Sequence, residues 1–156
     1  MKHLLLLTVS LLVVACATID CPMNNTVYSH YVLKGDVDTL KDTLSIITLR
    51  PDSNDAVQLN RSVRTTSFSL PLSYSHESDE LLFLYTDTLN QQVWDTVVVY
   101  KSNQPHFESV DCSPSFFHTI QRVSYTQHRI DSIIVNNPNV DYDQKDNFYI
   151  YFNSIR

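Results

Sequence analysis

Along residues 26–156 the apolar side chains recur at every second position. Val27, Tyr31 and Leu33 fall on one side of an extended segment, as do Leu44, Ile46 and Thr48, then Phe68, Leu70, Leu72 and Tyr74, and then Trp94, Thr96, Val98 and Tyr100. The closing run sets Phe148, Ile150 and Phe152 on one side and Tyr149 and Tyr151 on the other. Side chains that change face with each residue let a strand bury one face and wet the other. The period predicts strands near 26–34, 43–49, 55–60, 66–74, 80–87, 92–101, 106–112, 115–125, 130–136 and 147–153. β-branched and aromatic residues fill these runs, and no window carries a helical period. Short strands at this spacing predict an all-β fold, a β-sandwich of nine to ten mainly antiparallel strands, immunoglobulin-like in general architecture. Trp94, on an alternating strand, is expected in its core.

The breakers refine this picture. Pro51, Pro105 and Pro138 are expected between strands, whereas Pro71, inside an alternating run, belongs at an edge or a bulge. Gly35 is the only glycine. Turns that need positive φ are therefore expected at asparagine or aspartate, with Asn54, Asn90, Asn103, Asn137 and Asn139 suitably placed. A single glycine also excludes the P-loop, the dinucleotide-binding fingerprint and the nucleophile elbow, each of which needs at least two at fixed spacing.

The first residues carry a different signal. Lys2 precedes the apolar runs Leu4–Leu7 and Leu11–Val14, which end at Ala15 and Cys16. The stretch is shorter than the roughly 20 residues a membrane-spanning helix needs, and is interrupted by Thr8 and Ser10. It reads as a signal peptide. Val13-Val14-Ala15-Cys16 resembles the lipobox of bacterial lipoproteins, which implies that Cys16 is acylated and becomes the membrane anchor. The expected organisation is a signal peptide at 1–15, a lipidated tether at 16–25 and one β-sandwich domain at 26–156. Residues 17–20 lack an acidic cluster, which favours an outer-membrane lipoprotein with its domain in the periplasm over one displayed at the surface.

Charge and cysteines add further limits. The formal net charge is −6, one unit more negative once Lys2 leaves with the leader. A nucleic-acid partner would require the opposite sign. Arg61 and Arg64 form an isolated pair in a polar turn and read as solvated. With Cys16 used for lipid, Cys21 and Cys112 remain, and in an oxidising envelope a disulfide between them is the expected state, with two buried free thiols or a metal pair as alternatives. No Cys-x-x-Cys pair exists, which excludes a thioredoxin-like site and zinc knuckles.

Candidate chemistry is thin. His76, Glu77, Asp79 and Glu80 gather metal-type ligands between two strands, without the helical spacing of a metalloprotease, and read chiefly as a solvated loop. Asp141, Asp143 and Asp146 faintly follow a calcium loop but lack its glycine and terminal glutamate. His118 and His128, with Asp111 or Asp131 and a serine, are the raw material of a hydrolytic triad, but sequence spacing gives no convergence. Asp followed by a hydroxyl and an aliphatic residue occurs at 38–40, 42–44, 87–89, 95–97 and 131–133. This looks like the acceptor motif of the protein O-glycosylation system of gut anaerobes and implies Thr39, Thr43, Thr88, Thr96 and Ser132 as candidates. Ordinary strand-start sequence explains it equally well.

The chain as a whole resembles a family of small lipoproteins without assigned function from gut anaerobic Gram-negative bacteria. The resemblance rests on Cys21-Pro22, Asp95-Thr96-Val97-Val98-Val99-Tyr100 leading to Ser109-Val110-Asp111-Cys112, Ile130-Asp131-Ser132-Ile133-Ile134-Val135, and Asn147-Phe148-Tyr149-Ile150-Tyr151-Phe152. It implies a β-rich lipoprotein with two structural cysteines and no catalytic residue. Members often place glycine after the second cysteine, where this chain has Ser113 and Pro114. The expected role is therefore a non-enzymatic envelope lipoprotein that binds a protein or a glycan. A metal- or calcium-binding lipoprotein and a small hydrolase are the alternatives. No cofactor is expected, and the partners are the membrane, through the lipid, and an envelope protein or glycan.

Overall fold

The computed structural model describes Cys21 and residues 26–153. Cys16 and the leader lie outside the described residues. Ten strands follow in chain order: β1 (Tyr28–Lys34), β2 (Thr43–Leu49), β3 (Ala56–Ser62), β4 (Ser67–Pro71), β5 (Ser78–Thr86), β6 (Gln92–His106), β7 (Ser115–Tyr125), β8 (Ile130–Val135), β9 (Asn139–Val140) and β10 (Asp146–Phe152). They form a four-stranded sheet ordered β4-β1-β10-β8 and a six-stranded sheet ordered β3-β2-β5-β6-β7-β9. All pairings are antiparallel except β1 with β10.

The facing sides of the two sheets share one core. Its centre is an aromatic stack across three neighbouring strands. Tyr31 on β1 pairs in register with Phe68 on β4 and Phe148 on β10, and its ring lies 4.9 and 4.6 Å from theirs. Phe83 of the opposite sheet meets Phe68 edge-on at 5.8 Å. Such contacts add about 0.5–1.5 kcal/mol per pair to the burial of the rings themselves. Around them Leu44, Ile46, Leu81, Val97, Val99, Ile133 and Ile150 fill the space.

Three sequence expectations need correction. Residues 107–112 are not a strand: β6 runs on to His106 and the following residues form the β6–β7 loop. Pro105 does not end the run, but lies in β6 opposite Phe116; a strand accepts proline wherever its ladder does not call on that N–H. Positive φ is not left to asparagine either. Of the five asparagines only Asn90 adopts it, at 61°, and it is joined by Arg61, Arg64, Gln144 and Gly35. Arg61 sits at a bulge of β3, where Asn60 and Arg61 together oppose Ser45 on β2, and its N–H is received by Ser45 Oγ. At this bulge Arg61 takes the left-handed region, at a cost of about 1–2 kcal/mol for a residue with a Cβ.

Pro71 closes β4, an edge strand. Cys21 and Cys112 form a disulfide with Cα atoms 5.5 Å apart. It joins the chain ahead of β1 to the β6–β7 loop.

Candidate functional site

The inner face of β6 carries two charged residues. Residues 95, 97, 99 and 101 point into the sandwich, so Asp95 and Lys101 are buried together with Val97 and Val99. Burial of charge is tolerated only where every polar atom finds a partner.

At one end, Lys101 donates to the carbonyls of Ser73 and His76, to Asn103 Oδ1 at 3.1 Å, and to Asp79 Oδ2 at 3.3 Å. Both side chains of this ion pair are withdrawn from solvent, at 0% and 5% exposure. Burial pushes the Asp79 carboxyl up and the Lys101 ammonium down, and each charge opposes the shift of the other. Asn103 Nδ2 donates to Tyr74 and His76 carbonyls, which leaves Oδ1 to accept from the Nδ1–H of His118 at 2.7 Å. Burial, helped by the nearby Lys101 charge, pushes the His118 pKa down to about 4. This network ties the β4–β5 connection to β6 and β7.

At the other end, Asp95 accepts from Thr126 Oγ1 and from the N–H groups of His128, Arg129 and Ile130, all at 2.7–3.0 Å. It organises the β7–β8 turn. Arg129 pairs with Asp42 ahead of β2.

These positions decide the fate of the sequence candidates. His118 bonds Asn103, and His128 Nδ1 bonds the Trp94 carbonyl at 2.9 Å with Asp95 3.3 Å away. The two histidines belong to opposite ends of the inner face, and neither is joined to Asp111 or Asp131. Asp79 is not in a solvated loop but belongs to β5 and the buried pair, while His76 pairs with Asp52 at 3.2 Å. Asp141 Oδ1 accepts the Asp143 N–H, and Asp143 pairs with Lys145. Among the described residues no three His, Cys, Asp or Glu side chains come together as metal ligands.

The repeated Asp-hydroxyl-aliphatic pattern acquires structural reasons at three copies. Asp42 holds Arg129, Asp95 holds the β7–β8 turn, and Asp87 Oδ1 accepts the N–H groups of Leu89 and Gln91 in the β5–β6 hairpin. Thr88 is exposed at that tip, while Thr39, Thr43, Thr96 and Ser132 are half-buried.

Trp94 is not in the core: it is 55% exposed. Asp95, Val97, Val99 and Lys101 take the inner face of β6, so Trp94, Thr96, Val98 and Tyr100 lie outside. In register, Leu84 stands beside Trp94, Leu82 beside Ile47 and Thr96, and Val57 beside Ile47. Leu49 and Val98 flank Glu80, and the Arg122 guanidinium covers the Tyr100 ring at 3.3 Å. The outer face of β3-β2-β5-β6 is therefore apolar through its middle, with Val57 at 60% exposure. Sequence periodicity grouped Trp94 with its neighbours correctly and assigned the group to the wrong side.

A family model described as a family of unknown function (DUF6452) matches residues 43–152. No curated protein and no solved structure matches the chain.

Proposed function

Since this chain belongs to the family of unknown function DUF6452, a description that names no activity, we propose a role read from its own surface: a non-enzymatic envelope lipoprotein, anchored through Cys16, that binds a protein partner on the outer face of the six-stranded sheet. The observation that carries the reading is the apolar centre of that face: among the described residues Val57 and Trp94 are exposed there, and Ile47, Leu82 and Leu84 beside them are half-buried. Contiguous apolar surface of this kind marks interaction sites. A glycan platform stacks sugars on several aromatic rings, whereas here aliphatic side chains surround a single tryptophan. That composition favours a protein, with Trp94 as the buried anchor of the contact. Binding rather than catalysis is supported by the inner residues too: the carboxylates of Asp79 and Asp95 and the facing nitrogens of His118 and His128 already have partners that hold the fold together.

The finer identity, a lipoprotein of gut anaerobic Gram-negative bacteria, rests on Val13-Val14-Ala15-Cys16 and the resemblance of the later segments. The test is photo-crosslinking in native membranes from position 84, beside Trp94, with position 134 on the other sheet's outer face as control. A reproducible partner captured at 84, absent at 134 and lost in Trp94→Asp, is expected. Equal capture at both positions, or none at either, refutes the assignment.

A further inference from the structure

The disulfide gives the anchored chain a direction. Cys21 is bonded to Cys112 at the end of the β6–β7 loop, and Cys16 lies five positions before it. Extended chain covers at most about 3.6 Å per residue, so the lipidated cysteine is within about 18 Å of this loop. β6 alone has 15 residues, which at about 3.3 Å each spans roughly 50 Å from this loop to the opposite end of the strand. The tether therefore keeps this end of the sandwich next to the bilayer.

The loop so positioned is apolar at its tip. Val110 is 96% exposed and Phe107 58%. The neighbouring connections add rings at the same end. Tyr74, 66% exposed, stacks on Phe116 at 4.9 Å. Tyr142, 41% exposed, bonds Ser115 and packs against Phe117. Aromatic rings with a polar edge concentrate at membrane–water interfaces. The charges of the loop, Glu108 paired with His106 and the exposed Asp111, give no attraction to anionic lipid.

We propose that this end of the sandwich is a membrane-seating surface, with Phe107 and Val110 entering the lipid interface and the domain standing upright on the bilayer. The inference rests on the Cys16 anchor of the proposed function. It makes the partner-binding face stand perpendicular to the membrane. Seating is apolar and not electrostatic, so it takes zwitterionic lipid and resists salt.

The lone tryptophan supplies the control. Trp94 lies near the opposite end of β6, about 40 Å from Phe107 along the strand. The full-length lipidated protein and its Phe107→Trp and Val110→Trp variants are reconstituted in phosphatidylcholine vesicles, with and without brominated phosphatidylcholine, and floated on a density gradient. The expected result is co-flotation, unchanged Trp94 emission in the native protein, and strong loss of the added emission at 107 and 110 that persists in 0.5 M salt. Failure to float, with no acyl mass on Cys16, overturns the anchor. Flotation without quenching at 107 and 110, or with equal quenching of Trp94, overturns the seating surface and leaves the anchor standing.

Discussion

Replacing Lys101 by methionine keeps an unbranched apolar stem and removes the ammonium that four oxygens share. Asp79 is then a carboxylate 5% exposed whose remaining polar contact is the Ser73 N–H, and the Ser73 and His76 carbonyls lose a donor. Breaking a buried pair from one side costs about 3–5 kcal/mol. With a urea slope of about 1.5 kcal/mol/M, the unfolding midpoint falls by roughly 2–3 M. The deficit has a pH signature. Burial already raises the Asp79 carboxyl, and Lys101 is the main influence opposing it; without Lys101 it rises further. The folded variant then binds a proton that the unfolded chain releases, so its loss relative to the parent shrinks as pH is lowered from 7 towards 5. Adding Asp79→Leu removes the stranded charge and regains at least about 1 kcal/mol. Urea titrations of the three proteins at pH 7 and pH 5 provide the check. A deficit below about 1 kcal/mol that ignores pH, or a double variant no better than the single, refutes the argument that a committed ion pair holds this end together.

His118 gives a trend of opposite sign. Its pKa of about 4 lies below the ordinary 6.5, so the unfolded chain takes the proton first and up to about 3 kcal/mol is lost as pH falls from 6.5 to 4; His118→Asn should flatten that loss in urea titrations. Reducing the disulfide, which spans 91 residues, should cost about 4–5 kcal/mol by chain entropy, read as a lower unfolding midpoint in dithiothreitol. Asp95→Ala strands three turn N–H groups and a hydroxyl and should lower stability by at least about 3 kcal/mol, measured by thermal melting. Tyr85→Phe removes a buried hydroxyl that has no hydrogen-bond partner among the described residues, so it should be neutral or stabilise by up to about 1 kcal/mol in the same assay.

Period two is visible in a sequence because it is local, and it places the centres of β1, β2, β5, β7, β8 and β10 close to where the fold has them. What it does not contain is which of two alternating sets faces in. On β6 the set with a tryptophan, a valine and a tyrosine competes with a set holding an aspartate and a lysine, and the second wins. The reason lies far along the chain: Ser73 and His76 supply acceptors for Lys101, and residues 126–130 supply donors for Asp95. The inward signal on that face was confined to Val97 and Val99 between the two charges. The two residues of β9 are too short to leave a period, and the loop after His106 was hidden by Pro105, which looks like a terminus and is not one. The cysteine pair was legible by count once Cys16 was assigned to lipid. The apolar outer face was not, because exposure belongs to the finished sheet.

One pairing sets the order in which this molecule can be completed. Strand β1 is flanked by β4 and by β10, and the parallel contact with β10 joins positions as far apart as His30 and Asn147. The middle of the four-stranded sheet is thus closed by the last strand to emerge. A chain passing through a membrane N-terminus first would arrive with Tyr31 bare on one side and hold that way until residue 148 followed. Contacts this remote form late. On the proposed export route the chain would stay threadable for the whole of its passage, and Cys16 would be open to acyl transfer before the domain behind it could close.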